Sequence, residues 1–230
     1  MTEKGAGFVI AATGLRTEAR IAARSGGVRA VVGGDAAAQR LDRLIRQSIV
    51  EGGEALISFG IAAGLAPEFS AGACLIGRKV VYSGTSYSTD PGWTAGIKER
   101  IGGADLVTIA GVDQPLACSS EKRSLYQATG AAAADMESHI VAGLAAELGL
   151  PFAVLRVIAD PAEREVPLAA LAGMRPDGGM EVGAVLVALV RSPRQLPALV
   201  RLAADAGRAL VALHRCSDLL GPRLGFRDLG

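Results

Sequence analysis

The sequence predicts a three-layer α/β fold in which helices cover both faces of a mixed, mostly parallel sheet. Short apolar runs bounded by glycine or polar residues alternate with amphipathic helical segments along most of the chain, the order typical of this class. Half of the 230 residues are hydrophobic and 4% are aromatic, so the predicted core consists mainly of Ala, Val, Leu and Ile. We expect one domain over residues 1–230, because no internal repeat is present and single α/β domains often reach this length.

Hydrophobic periodicity and turn residues predict the elements of the first half. The predicted strands cover residues 7–12, 28–32 and 54–58, and the predicted helices cover 15–23 and the stretch from Asp35, as N-cap, to Ile49. Residues 59–65 are mostly small, which predicts a loop whose backbone can approach a ligand closely. Two apolar runs, 73–76 and 79–82, flank Gly77-Arg78 and predict a hairpin.

The second half begins with residues 83–90, which are polar and predict turns. Asp90-Pro91 has the cap-then-proline order that begins a helix. The remaining predicted elements are a strand over 104–112, a helix over 119–129, a helix from Glu137 to Leu148, a strand over 152–158 and an amphipathic helix over about 195–216.

Composition and motifs argue against several classes of function. A net charge of +1 argues against a general nucleic-acid binder, and no run of 18 apolar residues exists. The three cysteines are odd in number and far apart, which indicates reduced thiols, and the absence of a signal-peptide pattern agrees with a cytoplasmic protein. No Gly-x-Gly-x-x-Gly motif follows the first strand, no Gly-Lys-Ser/Thr motif exists, and the two histidines lack ligand spacing to the cysteines. We therefore expect neither a nucleotide cofactor nor a metal.

Three carboxyl groups mark the predicted site. Asp135 and Glu137 lie between an apolar strand and a helix, and Asp160 ends the next strand. The carboxyl ends of neighbouring strands in a parallel α/β sheet share one crevice, and ligands bind there. Because clusters of carboxyl groups often occur at catalytic sites, we expect the active site in this crevice. The alternative is a structural ion pair of Glu137 and Asp160 with Arg156 or Arg164.

Two motifs resemble those of the nucleoside phosphorylase and nucleosidase superfamily: Asp135-Met-Glu-Ser and Leu155-Arg-Val-Ile-Ala-Asp-Pro. That superfamily includes purine nucleoside phosphorylases and methylthioadenosine/S-adenosylhomocysteine nucleosidase. The resemblance covers residues 7–168 in order, and it includes Glu18 and the segment Ser58-Phe-Gly-Ile-Ala-Ala-Gly-Leu. In the detailed sequence of residues 134–167 and 191–197, the chain is most similar to the hopanoid-associated phosphorylase branch.

The resemblance implies a nucleoside phosphorylase-like fold and a role for each matching residue. Asp160 is expected to share or give a proton at N7 of a purine, and Glu137 to bind the ribose 2′ and 3′ hydroxyls. Glu18 is expected to position an attacking water or to bind the sugar. The further implied substrate-binding residues are Asp135, Met136, Gly60, Ile61, Ala62 and Leu116, and the candidates for a phosphate site are Gly14 and Arg16.

The acceptor of the sugar, phosphate or water, stays open at the level of the sequence. Phosphorylases hold phosphate partly through an arginine two residues before a glycine and a serine or threonine just after it, whereas Gly60 has Ser58 and Ile61 at these positions. Isoleucine donates no hydrogen bond to phosphate, but Arg16 and the arginines at positions 40, 43 and 46 are alternative cations. Phosphate is thus a candidate co-substrate, and no other cofactor is expected.

Arginines recur at every seventh residue of the predicted C-terminal helix. They stand at positions 194, 201, 208 and 215, next to a predicted apolar side made of Leu196, Leu199, Val200, Ala203, Leu210 and Val211. This pattern fits a solvated face over a packed helix, and it also fits contact with an anionic membrane surface. Membrane contact gains weight if the substrate is a lipid.

The predicted activity is cleavage of the N-glycosidic bond of an adenine nucleoside with an apolar 5′ substituent. By resemblance this substrate is adenosylhopane, and a mean hydropathy of +0.34 agrees with an apolar 5′ pocket. Hydrolysis of methylthioadenosine or S-adenosylhomocysteine is the alternative activity. A nucleoside- or lipid-binding protein without catalysis is the alternative from another class. We expect a homo-oligomer, because the family forms dimers or larger rings, and no nucleic-acid partner.

Overall fold

Eight strands form one mixed sheet in the computed structural model, which describes residues 7–33, 37–167 and 192–226 and three single positions between the last two ranges. The strands are β1 (Phe8–Thr13), β2 (Val28–Val32), β3 (Gly53–Gly64), β4 (Cys74–Tyr82), β5 (Thr85–Ser88), β6 (Asp105–Gly111), β7 (Ala133–Asp135) and β8 (Phe152–Asp160). The helices are α1 (Arg16–Ala22), α2 (Ala37–Val50), α3 (Pro91–Ile101), α4 (Ser119–Thr129), α5 (Ser138–Leu148) and α6 (Leu196–Leu220).

The sheet is mostly parallel, as predicted. Parallel pairing joins β1 with β2 and β3, β3 with β8, and β6 with β4 and β7. Antiparallel pairing joins β3 with β7, and β4 with β5 and β8. Because β8 pairs with both β3 and β4, the strands β3, β7, β6, β4 and β8 close into a ring. In this ring β3 lies between β7 and β8, the two strands that carry the predicted acidic residues.

Helices cover both faces of the sheet, which confirms the predicted three-layer architecture. Successive residues of a strand point to opposite faces, so a strand buried on both faces contributes to two apolar clusters. In β8, Leu155 packs into the cluster that α1, α3 and α6 cover, and Val154 packs into the cluster that α2 and α5 cover. Val9 and Ile10 of β1 divide between the same two clusters.

Several predicted boundaries agree with the structure because a local signal sets them. Asp90 caps α3, with its Oδ1 accepting a hydrogen bond from the Trp93 amide at 2.7 Å, and Pro91 is the first helical residue. Gly149, with φ of +64°, ends α5 in the left-handed conformation that glycine adopts readily. The predicted cap Asp35 and Arg191 of the resemblance segment lie outside the described residues.

The predicted hairpin at Gly77-Arg78 is wrong, because β4 continues through both residues. A Cβ at Gly77 would lie 2.8 Å from Cβ of Val154, so glycine here permits close packing on β8. The chain reverses instead at Ser83-Gly84, where both φ angles are positive, 46° and 78°, as the tight two-residue turns of hairpins require. Residues 85–88, predicted as turns, therefore form β5, which pairs with β4.

The predicted loop over residues 59–65 is also wrong, since most of it belongs to the second half of β3. Ala63 pairs with Ala134 of β7 on one side and with Asp160 of β8 on the other. Small side chains are typical of loops, but here they leave room for buried charged groups from neighbouring elements.

Helix α6 packs through a different side than predicted. Ala209, Leu213, Cys216 and Leu220 form its core side, whereas several residues of the predicted apolar side are exposed, namely Leu196, Val200, Ala203 and Val211. No helix within the described residues is long and apolar enough to cross a membrane.

Candidate active site

A single buried arginine on β8 organises the carboxyl groups of the site. Arg156 is 1% exposed and sits in an otherwise apolar strand. Its Nη2 lies 2.6 Å from Oγ of Ser58, 3.0 Å from Oδ1 of Asp135 and 3.4 Å from Oε2 of Glu137. Its Nη1 donates to the Ile61 carbonyl at 3.2 Å. Burial disfavours its charge, but the surrounding carboxylates outweigh burial and raise the pKa of Arg156.

Asp135 closes the turn between β7 and α5. Its Oδ1 accepts hydrogen bonds from the amides of Glu137 at 2.9 Å and Ser138 at 2.6 Å, and its Oδ2 accepts one from the Ser138 hydroxyl at 2.6 Å. The Ser138 Oγ also lies 2.9 Å from Oγ of Ser58. These hydrogen bonds and the contact with Arg156 join the start of α5 to β8.

Glu18 projects from the first turn of α1 into the same cluster and is 1% exposed. Its Oε2 accepts hydrogen bonds from the amides of Gly14 at 2.9 Å and Leu15 at 2.8 Å, and its Oε1 accepts one from the Ile61 amide at 2.7 Å. Burial raises the pKa of the Glu18 carboxyl, while Arg156 and the three amide donors oppose that rise. Both carboxyl oxygens are thus bound by backbone amides.

Two of the predicted glycines make room for carboxylates. A Cβ at Gly60 would lie 2.5 Å from Oε1 of Glu18 and 2.8 Å from Nη1 of Arg156. A Cβ at Gly14 would lie 2.7 Å from Oε1 of Glu137. A larger residue at either position would therefore have to displace a charged side chain of this cluster.

Glu137 lies directly before α5 and is 7% exposed. Burial, together with the nearby charges of Asp135 and Glu18, raises the pKa of Glu137 to about 8, although Arg156 opposes the rise. The raised pKa makes both the protonated and the ionised form of Glu137 accessible near neutral pH. The side chain can therefore either donate or accept a hydrogen bond to a hydroxyl group.

Asp160 is half-buried at the end of β8 and forms an ion pair with the buried Lys122 of α4. Nζ of Lys122 lies 2.6 Å from Oδ2 of Asp160, and Lys122 is 0% exposed. Burial raises the pKa of the Asp160 carboxyl, and the Lys122 ammonium opposes that rise. The alternative prediction, that Glu137 and Asp160 form structural ion pairs with Arg156 or Arg164, therefore agrees with the structure only for Glu137, which contacts Arg156. Asp160 is paired with Lys122 instead.

Glu18, Asp135 and Glu137 gather around Arg156, whereas Asp160 is paired with Lys122, so the predicted carboxyls do not share one set of parallel strand ends. Strand β7 runs antiparallel to β3, while β8 runs parallel to it. Ala63 of β3 separates Ala134 and Asp160, so their backbones are two strand spacings apart, about 10 Å. Asp160 ends β8 and Glu137 follows β7 by two residues, so these carboxyls come from the two strands that flank the end of β3.

The other predicted residues differ in their surroundings. Ile61 provides an amide and a carbonyl to the cluster around Arg156, and Ala62 is buried beside Ile61. Met136 is half-buried between Asp135 and Glu137. Leu116 is half-buried against the small cluster that contains Leu65 and Ala134. Arg16 is exposed at the start of α1.

Sequence reasoning missed how central Arg156 is and missed Lys122 altogether. A charged residue inside the apolar run of β8 was the available signal for Arg156. Lys122 gave no such signal, because a lysine in a polar helix such as α4 is typical of a solvated face. Among the described residues, no group of three or more His, Cys, Asp or Glu side chains is arranged to hold a metal ion.

Comparison with known proteins identifies the family. The model of the family described as the phosphorylase superfamily matches residues 2–191. The chain belongs to the phosphorylase superfamily. No curated protein sequence matches this superfamily member significantly.

Solved structures of nucleosidases share the fold of this superfamily member. A 5′-methylthioadenosine/S-adenosylhomocysteine nucleosidase from Helicobacter pylori, solved with butyl-thio-DADMe-Immucillin-A, has a TM-score of 0.65 and 15% identity, over 94% of this chain and 99% of that chain. Futalosine hydrolase from Helicobacter pylori has a TM-score of 0.62 and 18% identity, over 80% of this chain and 97% of that chain. S-adenosylhomocysteine nucleosidase from Streptococcus pyogenes has a TM-score of 0.60 and 16% identity, over 70% and 86%.

Proposed function

We propose that this protein cleaves the N-glycosidic bond of an adenine nucleoside that carries an apolar 5′ substituent. The observation that carries the proposal is a pair of carboxyl groups from the two strands that flank the end of β3: Glu137, which is buried and follows β7, and Asp160, which is half-buried and ends β8. Cleavage of a nucleoside requires two different groups, one facing the sugar and one facing the base. Membership of the phosphorylase superfamily supports this class of reaction.

The chemistry assigns each carboxyl a task. When the bond between C1′ and N9 breaks, its electron pair leaves with the purine, and the sugar becomes a cationic, oxocarbenium-like species. In the proposed reaction Asp160 gives a proton to N7 of the purine, which makes the base a better leaving group. Glu137 binds the ribose hydroxyls and lies beside the developing positive charge. Met136 packs against the sugar.

We propose water as the acceptor, because Glu18 occupies the groups that a phosphate would need. The amides of Gly14, Leu15 and Ile61 all donate to its carboxylate. The hydroxyl of Ser58 is also engaged, by Arg156 and Ser138. A phosphate dianion needs several such donors, and a carboxylate beside it adds repulsion. A carboxylate suits the other task well, since it can take the proton of a water that attacks C1′.

The test of the acceptor is adenine release with and without inorganic phosphate, with the sugar product identified by mass. Hydrolysis predicts a free ribosyl product, formed at an unchanged rate when phosphate is removed. Ribosyl 1-phosphate formed only in the presence of phosphate would contradict this proposal, and Arg16 would then be the first cation to substitute.

The same assay distinguishes the substrates. The resemblance of residues 134–167 to the hopanoid-associated branch supports adenosylhopane, and we expect it to have the highest kcat/KM. The structural similarity to nucleosidases solved with 5′-thio-substituted analogues supports methylthioadenosine or S-adenosylhomocysteine as the second candidate. A protein that binds these nucleosides and leaves all of them intact would refute the proposed enzyme.

We further propose that α6 contacts an anionic membrane surface, from which a lipid nucleoside would be taken. Leu196, Val200 and Val211 are 49%, 59% and 73% exposed on this helix. Arg194, Arg201 and Arg215 are exposed along the same helix or the turn before it. Its single acid before Asp218, Asp205, is buried and neutralised by Arg164 and Arg208. Exposed apolar and cationic groups together are what interfacial helices present to lipid.

The combined substitutions Arg194→Glu and Arg201→Glu are expected to weaken binding to phosphatidylserine vesicles by at least about 30-fold, because each arginine near an anionic surface contributes roughly 1 kcal/mol. Co-sedimentation measures the binding, and turnover of a water-soluble adenosine analogue should not change. Arg43→Glu with Arg123→Glu, on α2 and α4, is the matched control with the same change in net charge. If the wild-type protein does not bind the vesicles but self-associates in ultracentrifugation, the membrane proposal is wrong, and this face of α6 would instead contact a second copy of the chain.

A further inference from the structure

Lys122 is a charged residue with no contact to solvent. It lies in the first turns of α4 and is 0% exposed, although most of its helix is exposed. Its Nζ lies 2.6 Å from Oδ2 of Asp160 and within 3.3 Å of three carbonyl oxygens, those of Asp160, Pro161 and Arg164. An ammonium group has three N–H donors, so these four oxygens saturate it.

The Nζ of Lys122 hydrogen-bonds to a single segment of the chain. All four acceptors belong to the end of β8 and the turn that follows it, residues 160–164. The turn is held again where the Val166 amide donates to the Ala117 carbonyl at 2.9 Å, just before α4. A buried ammonium is costly unless its partners compensate it, and a surface lysine would serve α4 equally well as a helix former. The arrangement therefore fixes Asp160 with respect to α4.

We propose that Lys122 is a positioning residue for the reaction: it binds one oxygen of Asp160, Oδ2, and leaves the other, Oδ1, to face the departing base. This inference rests on the proposed role of Asp160 as the group that protonates the base. A carboxyl group that rotates freely presents either oxygen in many directions. A carboxyl held at one oxygen by a fixed cation presents the other in one direction, and proton transfer depends on such alignment.

The charges around Asp160 come from two elements. Lys122 approaches from α4, and Asp205 approaches from α6 with its partners Arg164 and Arg208. Burial raises the pKa of Asp160 first of all, Lys122 opposes the rise and Asp205 adds to it. Removal of the Lys122 charge therefore raises the pKa of Asp160 further, and the carboxyl then keeps its proton at higher pH.

The experiment is the substitution Lys122→Met, which keeps an unbranched side chain one atom shorter than that of lysine and removes the charge. We expect kcat for adenosine or methylthioadenosine to fall by about 10²-fold, the cost that a displacement of about 1 Å can carry. The basic limb of the pH profile of kcat/KM is expected to move to higher pH. A purely structural lysine would lower activity equally at every pH and would leave the limb in place. Lys98→Met, an exposed lysine of α3, is the matched control.

A substrate whose leaving group needs no proton distinguishes a loss of Asp160 alignment from general damage to the fold. With 4-nitrophenyl riboside, whose phenolate leaves unprotonated, Lys122→Met should retain nearly wild-type turnover. Equal losses with both substrates would overturn the inference. If Lys122→Met does not fold, Lys122→Arg is used instead. It keeps a cation at a shifted position, so it should lower kcat for the purine nucleoside while the basic limb stays; unchanged kcat would overturn the inference.

A double-mutant comparison separates this inference from the proposed function. If Lys122 acts through Asp160, Lys122→Met should have little further effect on kcat in an Asp160→Asn background. Full activity of Asp160→Asn alone would refute the proposed function. A large loss in Asp160→Asn together with a normal rate and pH profile in Lys122→Met would refute only the role of Lys122.

Discussion

Replacement of Asp160 by asparagine is expected to lower kcat for a purine nucleoside by about 10²–10⁴-fold, the usual contribution of general acid catalysis. Asparagine keeps the shape of the side chain, and its carbonyl oxygen can still accept the hydrogen bond that Lys122 gives to Oδ2. The proton is lost, so the purine must leave as a poorer anion. The measurement is the initial rate of adenine release at the pH optimum, together with KM.

KM should change much less than kcat, since the lost proton transfer belongs to the transition state. Asp105→Asn, an exposed aspartate at the start of β6, is the control with the same change in charge. Turnover of 4-nitrophenyl riboside by Asp160→Asn should be close to that of the wild type. Wild-type turnover of adenosine by this variant would remove Asp160 from the mechanism.

Arg156→Met is expected to cause the largest loss of stability, a decrease of about 3–5 kcal/mol in the free energy of unfolding. The arginine is the cation next to Asp135, Glu137 and Glu18, all of which are buried. Its removal leaves these carboxyl groups close together without compensation. For a chain of this size, roughly 2–4 °C is lost per kcal/mol, so the thermal midpoint should fall by about 6–20 °C.

The loss in Arg156→Met should depend on pH. Glu18 and Glu137 already have raised pKa values, and without the arginine these values rise further. A carboxyl whose pKa is raised in the folded state stabilises the fold at low pH, and this contribution disappears as the pH passes through the folded pKa. The difference between the variant and the wild type should therefore narrow toward pH 5 and widen toward pH 9.

An exposed arginine provides the matched comparison. Arg46 forms two ion pairs, with Asp42 and Glu147, but its side chain is 41% exposed. Arg46→Met should lower the free energy of unfolding far less than Arg156→Met does, and the effect should shrink with added salt. If Arg46→Met and Arg156→Met lower the free energy of unfolding equally, burial of Arg156 does not increase the contribution of its ion pairs to stability.

Local signals in the sequence were sufficient for many elements. The strand over 28–32 and the helix over 119–129 have the predicted bounds, because each is closed by residues that stop it, such as Gly33 and Gly130. The three carboxyls of the candidate site were also predicted from their positions next to strands. Position along the chain carries this information, since polar residues at the ends of buried strands are costly to place without a purpose.

Pairing between distant strands decided what the sequence left undetermined. Residues 59–65 appear loop-like by composition, but they are held as a strand because β7 and β8 pair with them from both sides. Similarly, Gly77 permits β4 to pack closely on β8, so the chain turns later, at Ser83-Gly84. Backbone hydrogen bonds to neighbouring strands outweighed local turn preference in both cases.

The sequence by itself determined the layers of the fold, the family and the acidic residues of the candidate site, because periodicity and short motifs are properties of consecutive residues. Only the tertiary structure decided which cation meets which carboxyl. Arg156 forms ion pairs with Asp135 and Glu137, and Lys122 forms one with Asp160. These pairs join residues that are 19 to 38 positions apart. Their partners are fixed by strand order and helix packing, and a side chain's charge carries no information about which distant group it will reach.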